Sequence, residues 1–331
     1  MDEGKVSVVI PVHNRAGLLR EAVASVAAQT YRPIELIIVN DGSTDETGNV
    51  ADQLAREYGD WVQVVHQDAS GAGRAREAGR IRATGEFIQY LDSDDRLLPE
   101  KFTLQVEALK RSPDSDIAYG ITRLIDADGR VLKEPYKWTG QRAEYLFPAL
   151  LVDRWWCTHT PLYRRSLCDR IGPWSKLRYS QDWEYDARAG ALRTRLVYVD
   201  AVVSEHRQHG GGRQTGHGQW LSFPDQVVFF EKLFEAAVES GVPLDCPEMK
   251  HFARWVFAAS RGAGLSNDLV SAEQLLALTL KARRRLDTQI YQWLSSIIGY
   301  HRTAGGMEGV RRLMGRRVGS ETQRLAWMKK Q

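Results

Sequence analysis

Apolar runs and helical patterns alternate through the first hundred residues. VSVVIPV at 6–12 is apolar almost throughout and contains Pro11, as expected of a buried strand that leads into a loop. From Ala16 the period changes: Leu18, Leu19, Ala22, Val23 and Val26 fall at helical spacings, and Tyr31-Arg32-Pro33 closes the run. ELIIVN at 35–40 predicts a second buried strand, and DGSTDE supplies turn and cap residues for a helix with Val50, Leu54 and Ala55 on one side. WVQVVHQ at 61–67 reads as a third strand. SGAG then opens a helix carrying Ala75, Ala78, Ile81 and Ala83, and EFIQYL at 86–91 makes a fourth strand that ends on Asp92-Ser93-Asp94-Asp95. This alternation predicts an α/β protein with a mostly parallel sheet covered by helices on both faces. Ligands of such sheets sit beyond the carboxyl ends of the strands, where Asp41 and the 92–95 cluster both fall.

Further along, residues 117–132 predict a strand, a turn at Asp128-Gly129 and another strand. The aromatic stretch 136–156 reads as irregular, with one short helix near 142–152. A helix is expected at 181–191 and a strand at 196–203, followed by a polar, glycine-rich loop at 204–218. Beyond Pro224 the pattern is helical, with candidates at 225–240, 248–263, 269–284 and 286–298, and weaker ones at 307–317 and 321–330. The change of pattern near 225 divides the chain into a body, 1–224, and a helical region, 225–331.

Composition narrows the class. With 331 residues, 43% hydrophobic and 26% charged, the chain is an ordinary globular protein rather than a disordered one. Its net charge of +3 does not announce a nucleic-acid binder, and no nucleic-acid partner is expected. Yet residues 281–331 hold 12 Lys or Arg against 3 Asp or Glu, a local balance of +9 on a body near −6. Such a basic end suits phosphate groups, an anionic membrane, a second copy of the chain, or simply a solvated helical surface. The opening MDEGK is too acidic for a signal peptide, and no apolar run reaches 18 residues, so a cytoplasmic protein is expected, peripheral at most to the inner face of the cell membrane. Cys157, Cys168 and Cys246 are too few for a disulfide framework, and none has metal-site spacing to a second cysteine.

The sharpest chemical signal is the 92–95 cluster. Three carboxylates in four residues repel one another, and their oxygens suit Mg²⁺ or Mn²⁺ bound together with phosphate. A capped turn accounts for one or two of them. Other motifs fail: neither DGSTDE nor DSDDRL has the glycine of a calcium loop, SGAGRAREAG lacks the spacing of a nicotinamide fingerprint, and there is no P-loop or G-x-S-x-G elbow.

Three segments, VSVVIPVHNRAGLLREAVASVAAQTYRPIELIIVNDGSTDET, GAGRAREAGRIRATGEFIQYLDSDD and QDWEYDARAG, together resemble the family 2 glycosyltransferases of the GT-A fold over roughly residues 5–210. The resemblance implies a central mixed sheet flanked by helices, a nucleotide-binding half over about 1–115, and an acceptor-binding half over 116–224. It implies an inverting transfer of sugar from a nucleotide-diphosphate donor to a hydroxyl acceptor, in polysaccharide or glycolipid synthesis. A UDP-sugar is favoured, with GDP- or dTDP-sugars also compatible, and the acceptor would be a saccharide or lipid-linked saccharide. A non-catalytic nucleotide-sugar or glycan-binding scaffold is the alternative.

By the same resemblance, Pro11, His13 and Asn14 lie at the donor end of the first strand, Asp41 meets the nucleotide base, and Arg76 bridges to the donor or braces Asp41. Ser93 belongs to the donor-binding stretch. Asp94 would contact a divalent ion directly, Asp92 would meet ribose or the ion, and Asp95 is auxiliary or starts a helix. His206 or His209, in the loop after the 196–203 strand, would complete the metal or diphosphate site. Asp182 corresponds to the base that takes the acceptor proton, with Glu184 a poorer candidate. Two departures stand out: Glu77 replaces the family's usual asparagine and Gln181 its usual glutamate. Trp156 and Trp174, before Asp182, are candidates for an acceptor-binding platform.

Overall fold

The computed structural model describes residues 2–208 and 222–313. They form β1 (Asp2–Val12), α1 (Ala16–Ala27), β2 (Ile34–Asp41), α2 (Thr47–Tyr58), β3 (Val62–Gln67), α3 (Ala72–Arg82), β4 (Gly85–Tyr90) and β5 (Arg96–Leu97). Next come α4 (Lys101–Arg111), β6 (Ser115–Ile125), β7 (Val131–Lys133), a 3-10 turn at Ala149–Leu151, β8 (Leu162–Arg164), α5 (Arg165–Ile171), α6 (Gln181–Ala191) and β9 (Arg195–Arg207). The remaining helices are α7 (Phe223–Glu239), α8 (Pro247–Leu265), α9 (Leu269–Ala282), α10 (Leu286–Ile298) and α11 (Tyr300–Leu313).

The strands form one sheet in the order β3-β2-β1-β4-β8-β6-β9-β5, with β7 paired to β6. β1 to β4 are parallel, as the alternation of strand and helix predicts. The three-residue β8 then runs antiparallel between β4 and β6, which makes the sheet mixed. Val8, Ile10, Leu36 and Ile38 on one face pack with Leu19 and Val23 of α1, Val50 and Leu54 of α2, and Phe102 and Val106 of α4. On the other face α3 approaches so closely that a Cβ at Gly79 would fall 2.3 Å from Val9 Cγ1. Ala75 and Ala83 are buried as the pattern expects, but Arg76 and Gly79 are buried with them, whereas Ile81 is exposed.

β9 is longer than its apolar run. Pairing of Leu124 with His206 and Ile125 with Arg207 carries the strand four residues past Val203, so His206 lies in the sheet and not in a following loop. The β6–β9 ladder is irregular in its middle. Tyr119 pairs with Tyr198 and Thr122 with Ser204, three steps along β6 against six along β9. Gly120 lies beneath this bulge, where a Cβ would come within 2.9 Å of the Ala201 carbonyl. The short helix expected near 142–152 reduces to the 3-10 turn at Ala149–Leu151.

The described chain divides into two compact units. One holds residues 2–146, Arg154–Ala189 and the chain from Arg193 through β9; the other holds Phe147–Asp153, Gly190–Leu192 and α7 to α11. In the second, Leu276, Tyr291 and Ala304 form a small core. α10 buries Thr288, Tyr291 and Ser295 while Leu286, Ile290, Trp293 and Ile297, spaced as one helical face, are exposed. Among the described residues, no helix is long and apolar enough to cross a membrane. The helix expected at 321–330 lies outside the described residues.

Candidate active site

A cleft of about 630 Å³ opens at the carboxyl ends of the parallel strands. Its lining includes Pro11, His13, Asn14, Asp41, Arg76, Asp92, Ser93, Asp94, Asp182 and His206, residues drawn from β1, β2, α3, the loop after β4, α6 and β9. His209 lies outside the described residues.

Local bonds shape the donor end. Asn14, at φ +52, accepts from Thr44 N through Oδ1 and donates to Thr44 Oγ1 through Nδ2, tying the β1–α1 loop to the one after β2. His13 Nδ1 is 2.7 Å from the Asp41 carbonyl. The Asp41 carboxylate accepts from Gln67 Nε2 at 2.7 Å and from the Ser70 and Gly71 amides at 2.8 Å each. Three of its roughly four acceptor positions therefore hold the β3–α3 loop.

Arg76 does not brace Asp41. Its guanidinium bonds Asp92 Oδ1 at 2.5 Å and lies 4.9 Å from the centroid of the Trp174 ring. Arg76 is only 4% exposed, and its Nε and the other terminal nitrogen have no hydrogen-bond partner among the described residues. A buried cation with donors to spare, at the rim of a cleft, suits an anionic ligand. Glu77, the departure from the family pattern, pairs with Arg80 and accepts from the Trp174 amide, so it anchors the loop before α6.

Asp94 accepts from Arg15 at 3.0 Å, an interaction absent from the sequence reading. Asp92 and Asp94 offer only carboxylate oxygens, the donor set of Mg²⁺ or Mn²⁺. Asp95 starts no helix: it is buried, and accepts from the Arg207 amide at 2.9 Å and contacts His206 Nδ1 at 3.1 Å and His159 Nδ1 at 2.8 Å. Although burial opposes both charges, the two imidazoles hold the Asp95 carboxyl well below its ordinary range, and Asp95 holds His206 well above its own.

Across the cleft, Asp182 sits in the first turn of α6. Its Oδ2 accepts from Arg154 at 2.9 Å and from Thr158 Oγ1 at 3.3 Å, and Oδ1 accepts from the Trp183 amide. Burial pushes this carboxyl up, but Arg154 and then Arg76 outweigh it and keep the group below the usual carboxylate range. Arg154 also bonds the fully buried Asp186 at 2.7 Å. Glu184 faces elsewhere and pairs with Arg188.

Two expectations are overturned by packing. Trp156 is 1% exposed and donates its Nε1–H to Asp186 at 2.8 Å, and Trp174 is 5% exposed and stacked on Tyr185 at 4.2 Å. Both rings belong to the interior and present no platform to an acceptor. Sequence reasoning passed over Arg15, Arg154, His159 and Asp186. Only Asp186 left a local signal, lying one helical turn after Asp182 and so on the same face.

Glycosyl transferase family 2 matches residues 7–172, and the chain belongs to that family. An uncharacterized glycosyltransferase of Rickettsia typhi is 35% identical over 62% of this chain and 64% of its own length, so the chain spans less than two thirds of that relative. A PGL/p-HBAD biosynthesis glycosyltransferase of Mycobacterium bovis is 32% identical over 62% of this chain and 77% of its own. In structure the chain is similar to Staphylococcus aureus TarS 1-349 in complex with UDP, with a TM-score of 0.67 at 18% identity, covering 95% of this chain and 93% of that one. It is also similar to the mannosyltransferase PcManGT of Pyrobaculum calidifontis in complex with GDP-Man and Mn²⁺, with a TM-score of 0.52 at 17% identity, covering 94% and 88%. These likenesses place the fold as GT-A, a mixed sheet with flanking helices and a helical C-terminal region.

Proposed function

We propose that the protein is an inverting glycosyltransferase that moves a sugar from a nucleoside-diphosphate donor to a hydroxyl acceptor. The observation that carries this reading is the pairing, in one cleft, of an acidic Asp92-Ser93-Asp94 loop with an ionised Asp182 on a separate helix. Inversion needs a leaving-group site and a proton acceptor on opposite sides of the reacting carbon. Asp92 and Asp94 would hold a divalent ion, magnesium or manganese, whose charge offsets that of the diphosphate. Arg76 donates to the same anion through its spare nitrogens. Arg154 keeps Asp182 ionised and fixed, so that Asp182 takes the proton of the attacking hydroxyl. Pro11, His13, Asn14, Asp41 and Ser93 shape the nucleotide end. UDP is the favoured base and phosphate carrier, supported by the UDP and UDP-GlcNAc complexes of TarS.

The acceptor reading is a lipid-linked saccharide, with the helical region resting on an anionic membrane. Support comes from the exposed Leu286, Ile290, Trp293 and Ile297 face of α10, next to a hollow lined by Lys281, Arg283 and Arg284. Apolar side chains with a tryptophan, beside a cationic cluster, complement acyl chains and acidic headgroups.

The test is Asp182→Asn. Calorimetric binding of UDP-, GDP- and dTDP-sugars with Mg²⁺ or Mn²⁺ should survive the change, while product formation at saturating donor falls by about 10²-fold or more. Near-normal transfer by this variant would remove Asp182 from the base role, and a wild type that binds a donor sugar but releases no nucleotide from it would leave the scaffold reading in its place.

A further inference from the structure

Beside the donor-facing loop, three side chains meet to which the proposed transfer mechanism gives no role. Cys157 Sγ and one ring nitrogen each from His159 and His206 lie within 4.8 Å of one another. Cys157 and His159 flank Thr158 ahead of β8, whereas His206 comes from the far end of β9. All three are enclosed, His159 completely. Neither nitrogen of His159 has a hydrogen bond among the described residues, although Nδ1 is 2.8 Å from an Asp95 oxygen. With Nδ1 against Asp95, Nε2 is the buried ring atom left without a partner, at a cost of about 1–3 kcal/mol that a bound ion would remove. The His159 and His206 rings are stacked within 18° of parallel, with Asp95 against Nδ1 of both.

We propose that Cys157, His159 and His206 bind a transition-metal ion of the zinc class as its three protein ligands, with the fourth position left to water, separate from the carboxylate site at Asp92 and Asp94 and with Asp95 as its supporting carboxylate. Thiolate and imidazole donors select zinc-like ions, whereas carboxylate oxygens alone select magnesium or manganese. Ligand atoms at about 2.0–2.3 Å from a tetrahedral ion stand about 3.3–3.8 Å apart, so small side-chain rotations close the observed spacing. Binding exchanges two protons for the ion, the Cys157 thiol proton and one ring proton of the His206 imidazolium that Asp95 favours, and both leave to solvent. The thiolate and the Asp95 carboxylate then balance the double positive charge, so the buried assembly is neutral. A carboxylate beside metal-bound imidazoles orients the rings and strengthens their donation. Asp95 follows Asp94 directly and accepts from the Arg207 amide, so the ion ties the donor-facing loop to β9.

The experiment reads the metal and not sugar transfer, so its failure is independent of the activity reading. Full-length protein stripped with a chelator is titrated with Co²⁺ in excess Mg²⁺, which fills oxygen-only sites. The expected result is uptake of a single equivalent with a thiolate-to-cobalt charge-transfer band, displaced by Zn²⁺. The band should vanish in Cys157→Ser, weaken in His159→Gln and persist in Asp94→Asn. Because Cys157 and His159 are buried, the wild type is also melted with and without Zn²⁺, where a rise of several degrees is expected. A folded wild type that shows no thiolate band overturns the proposal whatever the variants do. So does a band that survives Cys157→Ser, which would assign the cobalt to Cys168 or Cys246.

Discussion

Replacing Arg154 with Met keeps the length of the stem and removes the charge that Asp182 and Asp186 share. Arg154 is 6% exposed and lies 2.9 Å from Asp182 and 2.7 Å from Asp186. At an effective dielectric constant near 20, charges at the first distance attract by about 6 kcal/mol before desolvation is subtracted. Removing one partner of a buried pair costs about 3–5 kcal/mol. Asp186 keeps Trp156 and Tyr163 as donors, and Asp182 is 29% exposed and can recruit water, so the lower end, about 3 kcal/mol, is expected. Losing that interaction raises the Asp182 pKa, because burial already pushes the carboxyl up and Arg154 is the largest influence holding it down.

The sign follows from the folded state. The Asp182 pKa is depressed, so its ion pair contributes stability that is present above the unfolded value near 3.9 and is lost as pH falls through the folded value. Wild-type transfer should therefore be flat through neutrality, with any acid limb from Asp182 below the ordinary carboxylate range. In Arg154→Met the acid limb should move to higher pH, because burial then opposes the charge without its main counter-charge. The assay is kcat/KM for transfer from pH 4 to 8, with circular dichroism at each pH to confirm folding. A uniform drop in rate with an unmoved acid limb would refute the claim that Arg154 sets the ionisation of Asp182.

Two further outcomes are expected. Asp94→Asn should weaken metal-dependent donor binding by about tenfold or more in calorimetry while leaving the melting curve close to wild type, since Asp94 lines the cleft and the near-isosteric amide can still accept from Arg15. Trp293→Ser with Ile297→Ser should reduce flotation with vesicles containing acidic lipid, and wild-type binding should decline with salt. Equal binding to neutral vesicles would overturn the electrostatic part, and loss of a dimer in the same variant would assign the α10 face to a second copy.

The parallel half of the sheet was legible because β1 and β2 are buried on both faces and carry nearly unbroken apolar runs, with the Phe87-Ile88 core of β4 following after a helix. β8 escaped notice because three residues carry no period, and without it the sheet reads as more parallel than it is. The acidic side chains of the cleft were visible because charge at the end of an apolar strand is costly. Their counter-charges were not, because Arg154 is remote in sequence from Asp182 and Arg15 from Asp94, and nothing local links them. The tryptophans misled for a physical reason: a ring packs wherever its N–H or face finds a partner, and Asp186 and Tyr185 supplied partners inside. The Cys157-Thr158-His159 triplet was legible in principle, but a search for cysteine pairs passes over it.

The bulge opposite Gly120 fixes which way the end of β9 faces. Side chains alternate along a strand, so Glu205, paired with Arg96 and Arg123, and His206, against Asp95, point to opposite faces of the sheet. Their parity is counted from the bulge and not from the start of the strand. Losing or gaining one residue between Tyr198 and Val202, with the β6 ladder re-formed, would exchange the two. A carboxylate would then face Asp95, and an imidazole would stand between two arginines. Loop length at this remote edge thus acts as a gear for the cleft, and variation there is tolerable in steps of two.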